Sequence, residues 1–387
     1  MSKNIFLDHA SGAPLDMRVY KTITKHLKQT QGNSSALYLR GEKAHKILEQ
    51  SRTQIAHILN VLPNEILFTG SATEANNIAI FGNAYDHKRQ NTGHVITTQI
   101  EHPSVLECFF ALEREGTPVT YLPVNREGLI NPKDLKTALL EDTRLVSIMY
   151  ANNEVGTLQP IAECVDIIRK FRKLHGTTYP YLHVDACQVG LYEKFDLGTQ
   201  KIDLLTLNAA KLGGPKGVGL LFVRKNIQLR PIILGGGQEF GVRSGTENVA
   251  FIAGLAQALT LAQRTTQQRS KKVAALRDWF IVELVKKIPE AHINGSLIHR
   301  IANNVHITIP VSDAETLQIY LNKQGIEVGT GSACSSGSVH PSHVLIAMGK
   351  SEKEAFQSLR ITFGEKTKKN ELRYFITQLR SILDLLS

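Results

Sequence analysis

No two cysteines in this chain are spaced as a Cys-x-x-Cys pair. The four present, Cys108, Cys164, Cys187 and Cys334, stand far apart, so neither a disulfide framework nor a zinc or other metal site is indicated. Long apolar runs are also missing, and none approaches the length that spans a bilayer. The first residues, Met1 to Asp8, carry neither a secretory hydrophobic region nor an arginine-rich transit pattern, which leads to the expectation of a cytoplasmic protein. Repeats, low-complexity tracts and linkers are lacking as well. Basic residues are in excess, giving a formal charge of +10, but they are scattered apart from short runs such as Lys366 to Lys369. They read as a solvated face more readily than as a surface for RNA or an acidic partner.

What remains is an ordinary globular composition, 42% hydrophobic and 21% charged over 387 residues, enough for two domains or a large one with a smaller one docked to it. Cys108 and Cys164 fall in apolar helical patterns, and Cys187 reads as a small buried filler. Cys334 is different. It sits in Gly-Thr-Gly-Ser-Ala-Cys-Ser-Ser-Gly-Ser (329–338), a run with no bulky side chain that favours a mobile loop over a packed element. A thiol on such a loop can visit a buried substrate and then swing outward. An incidental cysteine in a glycine-rich turn is the alternative.

Between about residues 45 and 260, strand-like runs alternate with helical patterns. Residues 66–69, 95–98, 119–122, 145–150, 181–184, 204–207 and 219–223 read as short strands, and the segments between them carry 3.6-residue apolar spacing, as at Ile161, Val165, Ile168 and Phe171. The alternation predicts an α/β fold, a parallel or mixed sheet with helices on both faces, and ligands beyond the carboxyl ends of its strands. Residues 248–261 and, after a polar interval, 273–288 read as helix. Strand 304–309, helix 314–323, the Cys334 loop, a further helix and strand 359–362 predict a smaller α+β domain, closed by an amphipathic helix over 371–386.

Several segments carry residues suited to chemistry. In 203–219 an apolar strand runs into Lys211 and a Gly/Pro turn. An amine there can approach a bound ring, and desolvation lowers its pKa as a Schiff-base amine requires; a solvated loop lysine is the alternative, a part that Lys216 fills better. In 181–188 Asp185 ends an apolar strand, where a buried carboxylate demands a cation, either a pyridinium nitrogen or an ordinary Arg or Lys, and Gln188 lies at the same rim. In 68–77 a strand, a glycine turn and a helix start follow one another. Ser71 and Glu74 fit a capping box there, and the N–H groups with the Thr73 hydroxyl suit a phosphate, although capped helices are common. In 101–104 His102 follows a strand and Pro103 opens a helix; the imidazole can stack on a flat ring and shuttle a proton, or be a satisfied loop histidine. The glycine-rich 235–248 leads to a helix start at Thr246, an anion cradle or a plain capped loop. In 359–364 Arg360 sits in an apolar strand and needs a carboxylate, from a substrate or from a structural salt bridge.

Together these segments resemble the cysteine desulfurases of the class V aminotransferase group, pyridoxal-phosphate enzymes that take sulfur from L-cysteine. The likeness runs from Phe6-Leu-Asp-His-Ala to Arg360. Its motifs stand in family order: Thr-Gly-Ser-Ala-Thr-Glu-Ala-Asn-Asn, Glu-His-Pro-Ser, Ala-Asn-Asn-Glu-Val-Gly-Thr-Leu-Gln-Pro (151–160), His-Val-Asp-Ala-Cys-Gln, Lys-Leu-Gly-Gly-Pro-Lys-Gly, Arg-Ser-Gly-Thr-Glu-Asn and Gly-Ser-Ala-Cys-Ser-Ser-Gly. The resemblance implies the fold type I of pyridoxal-phosphate-dependent transferases. That is a mostly parallel seven-stranded sheet sandwiched by helices in a large domain of residues 16–260, with a smaller α+β domain of residues 1–15 and 261–387 that carries the cysteine loop. It also implies that Lys211 holds pyridoxal 5′-phosphate, Asp185 pairs with the pyridinium nitrogen, His102 stacks on the ring and Gln188 touches its phenolic oxygen. Asn153 would lie near that oxygen and the substrate carboxylate, which Arg360 would bind. Ala72 and Thr73 would receive the phosphate, with Thr246 reaching in from the second subunit of a homodimer. The long small-residue loop resembles the branch of housekeeping iron–sulfur enzymes; the other branch has a shorter loop.

The chain departs from the family at two places. Members commonly carry Ser-x-His-Lys, whereas here the run is Asn208-Ala209-Ala210-Lys211. Asn208 can still donate a hydrogen bond to phosphate; Ala210 cannot. Phe240 stands where a basic residue is usual. These changes imply weaker cofactor retention or compensation elsewhere. The activity implied is conversion of L-cysteine to L-alanine. Lys211 would move the Cα proton, and the Cys334 thiolate would take the sulfur as a persulfide and pass it to an acceptor protein for iron–sulfur cluster assembly or tRNA thiolation. No membrane and no direct nucleic-acid binding are expected. Two alternatives stay open at this point: a class V aminotransferase or amino-acid lyase that leaves Cys334 idle, and a scaffold that has lost its cofactor. Selenocysteine also stays open as a substrate.

Overall fold

The computed structural model describes residues 4–84, 93–310, 313–330 and 340–386. Twelve strands occur among the described residues: β1 (Ile5–Leu7), β2 (Ile66–Thr69), β3 (Val95–Thr98), β4 (Val119–Leu122), β5 (Leu145–Ser147), β6 (Tyr181–Asp185), β7 (Leu204–Asn208), β8 (Gly219–Val223), β9 (His292–Asn294), β10 (Asn304–Thr308), β11 (Ile326–Thr330) and β12 (Ser358–Thr362). Seven of them form one sheet in the order β2-β8-β7-β6-β5-β3-β4. The run from β4 through β7 is parallel throughout, and β8 is antiparallel to both β2 and β7. This is the mostly parallel α/β sheet that the alternation of strands and helices predicts.

The strands are apolar at successive positions because both faces of the sheet are covered. Neighbouring side chains leave a strand on opposite sides. Ile66, Phe68, Leu205, Leu207, Leu220 and Phe222 therefore enter one core, and Leu67, Leu204, Leu221 and Val223 the other. The first core takes Ile252, Leu255 and Leu259 from helix Val249–Arg264, which packs on helices Met17–Gln29 and Leu39–Leu59. The second takes Ile78, Ile80, Phe109 and Leu112 from helices Ala72–Ala84 and Pro103–Arg114, which pack on each other. No helix among the described residues is long and apolar enough to cross a membrane.

The second sheet has the order β1-β11-β12-β10-β9. β1 lies parallel to β11 and the other pairs are antiparallel. Helix Thr266–Lys287 begins inside the interval that the sequence pattern leaves polar. Gln267, Gln268, Lys271 and Lys272 are good helix formers without an apolar stripe. Arg269 donates to the carbonyls of Leu261 and Ala262, serving the open end of the preceding helix, and to that of Leu191.

One buried ion pair ties the glycine-rich segment to the first sheet. Arg52 and Glu239 meet through two bonds of 2.9 Å, with side chains 3% and 1% exposed. Glu239 also accepts from the Phe68 N–H at 2.8 Å, and the guanidinium lies 4.8 Å from the Phe68 ring centroid and 5.0 Å from that of Phe240. These contacts hold Glu239 and Phe240 at φ of 48° and 58°, left-handed values that cost a non-glycine residue energy. Phe240 thus gives Arg52 an aromatic face where a basic residue would set like charge beside like. Glu239→Ala would remove the buried partner of the guanidinium and leave it to the exposed Glu49 carboxylate and the Ile66 carbonyl. The expected loss is about 3 kcal/mol of stability, read as a lower urea midpoint at unchanged slope; an unmoved midpoint would show that the pair is dispensable.

Candidate active site

The carboxyl ends of β2, β3, β6 and β7 open on one side of the large sheet, the place where sheets of this kind receive ligands. β12 and the residues after β1 close over them. Between lies a cavity of about 260 Å³, lined by Ala72, Thr73, His102, Asn153, Asp185, Gln188, Asn208, Lys211 and Arg360 together with Ala10, Ser11, Ser104, Met149, Ala151 and Cys187. The first nine were singled out from sequence.

Asp185 is the last residue of β6. Its Oδ1 accepts from the Cys187 N–H at 3.0 Å and its Oδ2 from Asn76 Nδ2 at 2.9 Å. Gln188 Nε2 donates to the Ala10 carbonyl at 3.2 Å. His102 caps helix Pro103–Arg114 with its own ring: Nδ1 accepts the Ser104 N–H at 3.1 Å and meets Ser104 Oγ at 2.8 Å. Burial pushes the His102 pKa below the ordinary imidazole value. Cys187 also faces the cavity, but burial drives its thiol pKa well up, so it stays protonated and is a poor nucleophile.

Lys211 lies just past β7, in the short turn Ala209–Leu212. Asn208 caps that turn, its Oδ1 accepting the Ala210 N–H at 3.0 Å, which leaves the amide nitrogen as the side chain's donor. Gly213, at φ 73°, ends the turn in a conformation that suits glycine. The Lys211 Nζ donates to the carbonyls of Ala10 and Ser11 at 2.5 and 2.7 Å. Arg360, on β12, donates to Asp8 Oδ1 and Ser11 Oγ at 2.9 Å each and to the Asn153 carbonyl at 3.1 Å. The structural ion pair that the sequence allows for Arg360 is therefore formed, with Asp8, and the residue also lines the cavity. The neighbouring Gly329 permits this, because a Cβ there would come within 2.9 Å of Arg360 Nε.

The capping box expected at the start of helix Ala72–Ala84 is half formed. Ser71 Oγ accepts the Glu74 N–H at 3.1 Å, but the Glu74 carboxylate turns to Arg243, 2.7 Å away in the glycine-rich segment. A charged group that finds a guanidinium gains more than it would from a backbone N–H. Thr246 is exposed and does not line the cavity. The helix expected to start there begins instead at Val249, capped by the Asn248 side chain through the Phe251 N–H at 3.2 Å. Cys334 lies outside the described residues. The chain on its far side is anchored to the cavity's surroundings: Ser342 Oγ donates to Glu154 at 2.5 Å, and His343 Nε2 lies 2.9 Å from the Glu101 carbonyl. Glu101 is fully buried, and burial pushes its pKa up to about 8.

Sequence reasoning missed Asp8, Ser11, Asn76, Ser104 and His343. Asn76 and Ser104 stood inside motifs already recognised, where their positions one helical turn or one cap beyond the chosen residues were the available signal. Asp8 and Ser11 meet Arg360 across some 350 residues of chain, with no local sign.

The arrangement suits a flat, basic ring that bears a phosphate. An acid stands at the end of β6, a helix start with Ala72 and Thr73 opens on the cavity, and an amine stands between two carbonyls. The Asn153 Oδ1 is buried and finds no donor among the described residues, so the wall keeps an acceptor for a ligand.

The family profile Aminotransferase class-V matches residues 5–375. A protein of Dictyoglomus turgidum named "Cysteine desulfurase IscS" is 39% identical over 386 residues, covering 100% of this chain and 96% of that one. Among solved structures, a "NIFS-LIKE PROTEIN" superposes with a TM-score of 0.91 at 34% identity, over 99% of this chain and 100% of that chain. "SspA in complex with cysteine" does so with a TM-score of 0.80 at 32% identity, over 95% of this chain and 100% of that chain.

Proposed function

The chain belongs to the class-V aminotransferase family, and from that premise we propose that it is a pyridoxal-phosphate-dependent cysteine desulfurase, which turns L-cysteine into L-alanine and keeps the sulfur on Cys334. Full-length similarity to a protein named for that activity, and to one solved with cysteine, supports the reading. The observation that carries it is the convergence on one cavity of Lys211, Asp185 and His102, from the ends of three strands, and Arg360, from the middle of β12.

Pyridoxal phosphate, when bound, supplies an electron sink that makes the Cα proton of an amino acid acidic. Lys211 would hold it covalently. Asp185, aligned by two N–H donors, would face its ring nitrogen, with His102 against the ring and Gln188 and Asn153 at its phenolic oxygen. Ala72, Thr73 and Asn208 would hold the phosphate, joined by Thr246 from the second subunit of a homodimer. The amide nitrogen that Asn208 keeps for donation offsets the absent serine. Arg360, already oriented by Asp8 and Ser11, would take the substrate carboxylate, and Lys211 Nζ would move the Cα proton. The Cys334 thiolate would then attack the substrate sulfur. A sulfur–sulfur bond forms as the carbon–sulfur bond breaks, the electron pair stays with carbon, and carbon takes a proton to leave as L-alanine.

Residues 16–260 would form the cofactor-holding unit, and residues 1–15 with 261–387 the unit that brings Arg360 and Cys334 to it. The persulfide would pass to an acceptor in the cytoplasm, an iron–sulfur scaffold or a tRNA-thiolating enzyme. Purified protein supplied with pyridoxal phosphate is expected to absorb visible light, and to change that absorbance on addition of L-cysteine in step with alanine release. An unchanged spectrum without alanine would sink the proposal, and turnover of a sulfur-free amino acid in its place would favour an aminotransferase.

A further inference from the structure

We propose that Asn76 and Ser104 are positioning residues that keep the His102 imidazole neutral with its proton on Nε2, and that tie this state to the Asp185 carboxylate; the inference rests on the reading that His102 and Asp185 serve the desulfurase site. Asn76 is fully buried on helix Ala72–Ala84. Its one NH₂ group donates to Asp185 Oδ2 and to Ser104 Oγ, each at 2.9 Å. An ionised carboxylate only accepts, so the amide must present nitrogen; turned over, its oxygen would oppose Asp185. The Asn76 Oδ1 in turn is buried without a donor among the described residues. A buried acceptor left in that condition calls for a reason. The reason here is that both amide hydrogens are committed to the bridge between the acid and the serine.

Ser104 carries the bridge to the ring. Its backbone N–H donates to His102 Nδ1 at 3.1 Å, so a proton on Nδ1 would confront another N–H. Its hydroxyl oxygen already accepts from Asn76, and the hydroxyl proton turns to Nδ1 at 2.8 Å. The Nδ1 lone pair is thereby occupied, and the proton of the neutral ring resides on Nε2. The charged and titratable groups facing the ring come from several elements. Burial opposes the imidazolium most; Asp185 favours it, and Lys211, His343 and Arg360 oppose it further. Asp185 is also the group whose oxygen Asn76 occupies. An imidazole in this state can lie against a flat ring without adding charge and can donate a proton from Nε2.

The test is nitrogen NMR of ¹⁵N-histidine-labelled protein, with and without pyridoxal phosphate, with the His102 signals identified by their loss in His102→Gln. The wild type is expected to show an unprotonated Nδ1 and a protonated Nε2 from about pH 6 to about pH 8. Ser104→Ala is expected to raise the His102 titration midpoint by about one unit, while the retained backbone N–H keeps the proton of the neutral ring on Nε2. Asn76→Ala should do the same, and Ser104→Thr should restore the wild-type signals. Ser104→Ala keeps the backbone cap and is half-buried, so it decides the matter even where Asn76→Ala does not fold. A wild-type midpoint in Ser104→Ala would overturn the inference. Alanine formation measured alongside separates the two ideas. A shifted midpoint in a protein that never forms alanine upholds the positioning role and refutes the desulfurase reading. Normal wild-type turnover with an indifferent imidazole refutes the positioning role alone.

Discussion

Lys211→Ala protein is expected to fold normally and to form alanine from L-cysteine at least about 10⁴-fold more slowly than wild type. Two functions leave together in this variant, the covalent hold on the cofactor and the group that moves the Cα proton. The fold should survive because the amine donates to two loop carbonyls, those of Ala10 and Ser11, and both can turn to water when it goes. Spectra and mass separate the two losses. Borohydride fixes a carbon–nitrogen double bond, so wild-type protein treated with it should carry the cofactor's mass on the peptide containing Lys211. The variant should carry none. Lys211→Arg keeps the charge between the same carbonyls but cannot form the bond, and it should fail equally. Cofactor mass recovered on Lys216 would reassign the site.

Cys334→Ala should lose alanine formation by at least about 10³-fold while keeping the wild-type cofactor spectrum. This pattern differs from that of Lys211→Ala because the thiol enters after the cofactor is in place. Among the cysteines, burial raises the thiol pKa of Cys108 and Cys164 to about 12 and that of Cys187 well up, so each holds its proton. None of these three is suited to take sulfur as a thiolate, in keeping with the proposed role of Cys334. Wild-type protein given L-cysteine without an acceptor should show one additional sulfur on the Cys334 peptide. An additional sulfur on the Cys187 peptide in its place would remove Cys334 from the mechanism.

Much of this molecule was legible because its chemistry sits where strands stop. An apolar run followed by Asp185, by Lys211 or by His102 marks both an element boundary and a residue at the sheet's rim. The same signal therefore gave the strand and the candidate group. Alternation between two cores gave each strand apolar residues at adjacent positions, as at Leu204 and Leu205, which reads plainly as a strand buried on both faces. Three-residue strands such as β1 and β9 offer too few positions for any period to show. Thr246 looked like a helix cap because Ser, Thr and Asn are interchangeable there in composition; Asn248 took the place, two residues on. Partners chosen by tertiary approach left no trace at all. Nothing near Arg360 announces Asp8, and nothing near Arg52 announces Glu239.

Strand β1 has its partner, β11, more than 300 residues further along the chain. Residues 5–7 pair with residues 326–328, and the stretch just after them supplies the two carbonyls around Lys211 and the side chains that seat Arg360. A nascent chain halted between β8 and β11 holds all seven strands of the large sheet and still lacks the wall of its own pocket. Assembly of the surroundings of Lys211 is thus deferred until β11 has been made, and a chain halted before it contains neither Arg360 nor Cys334.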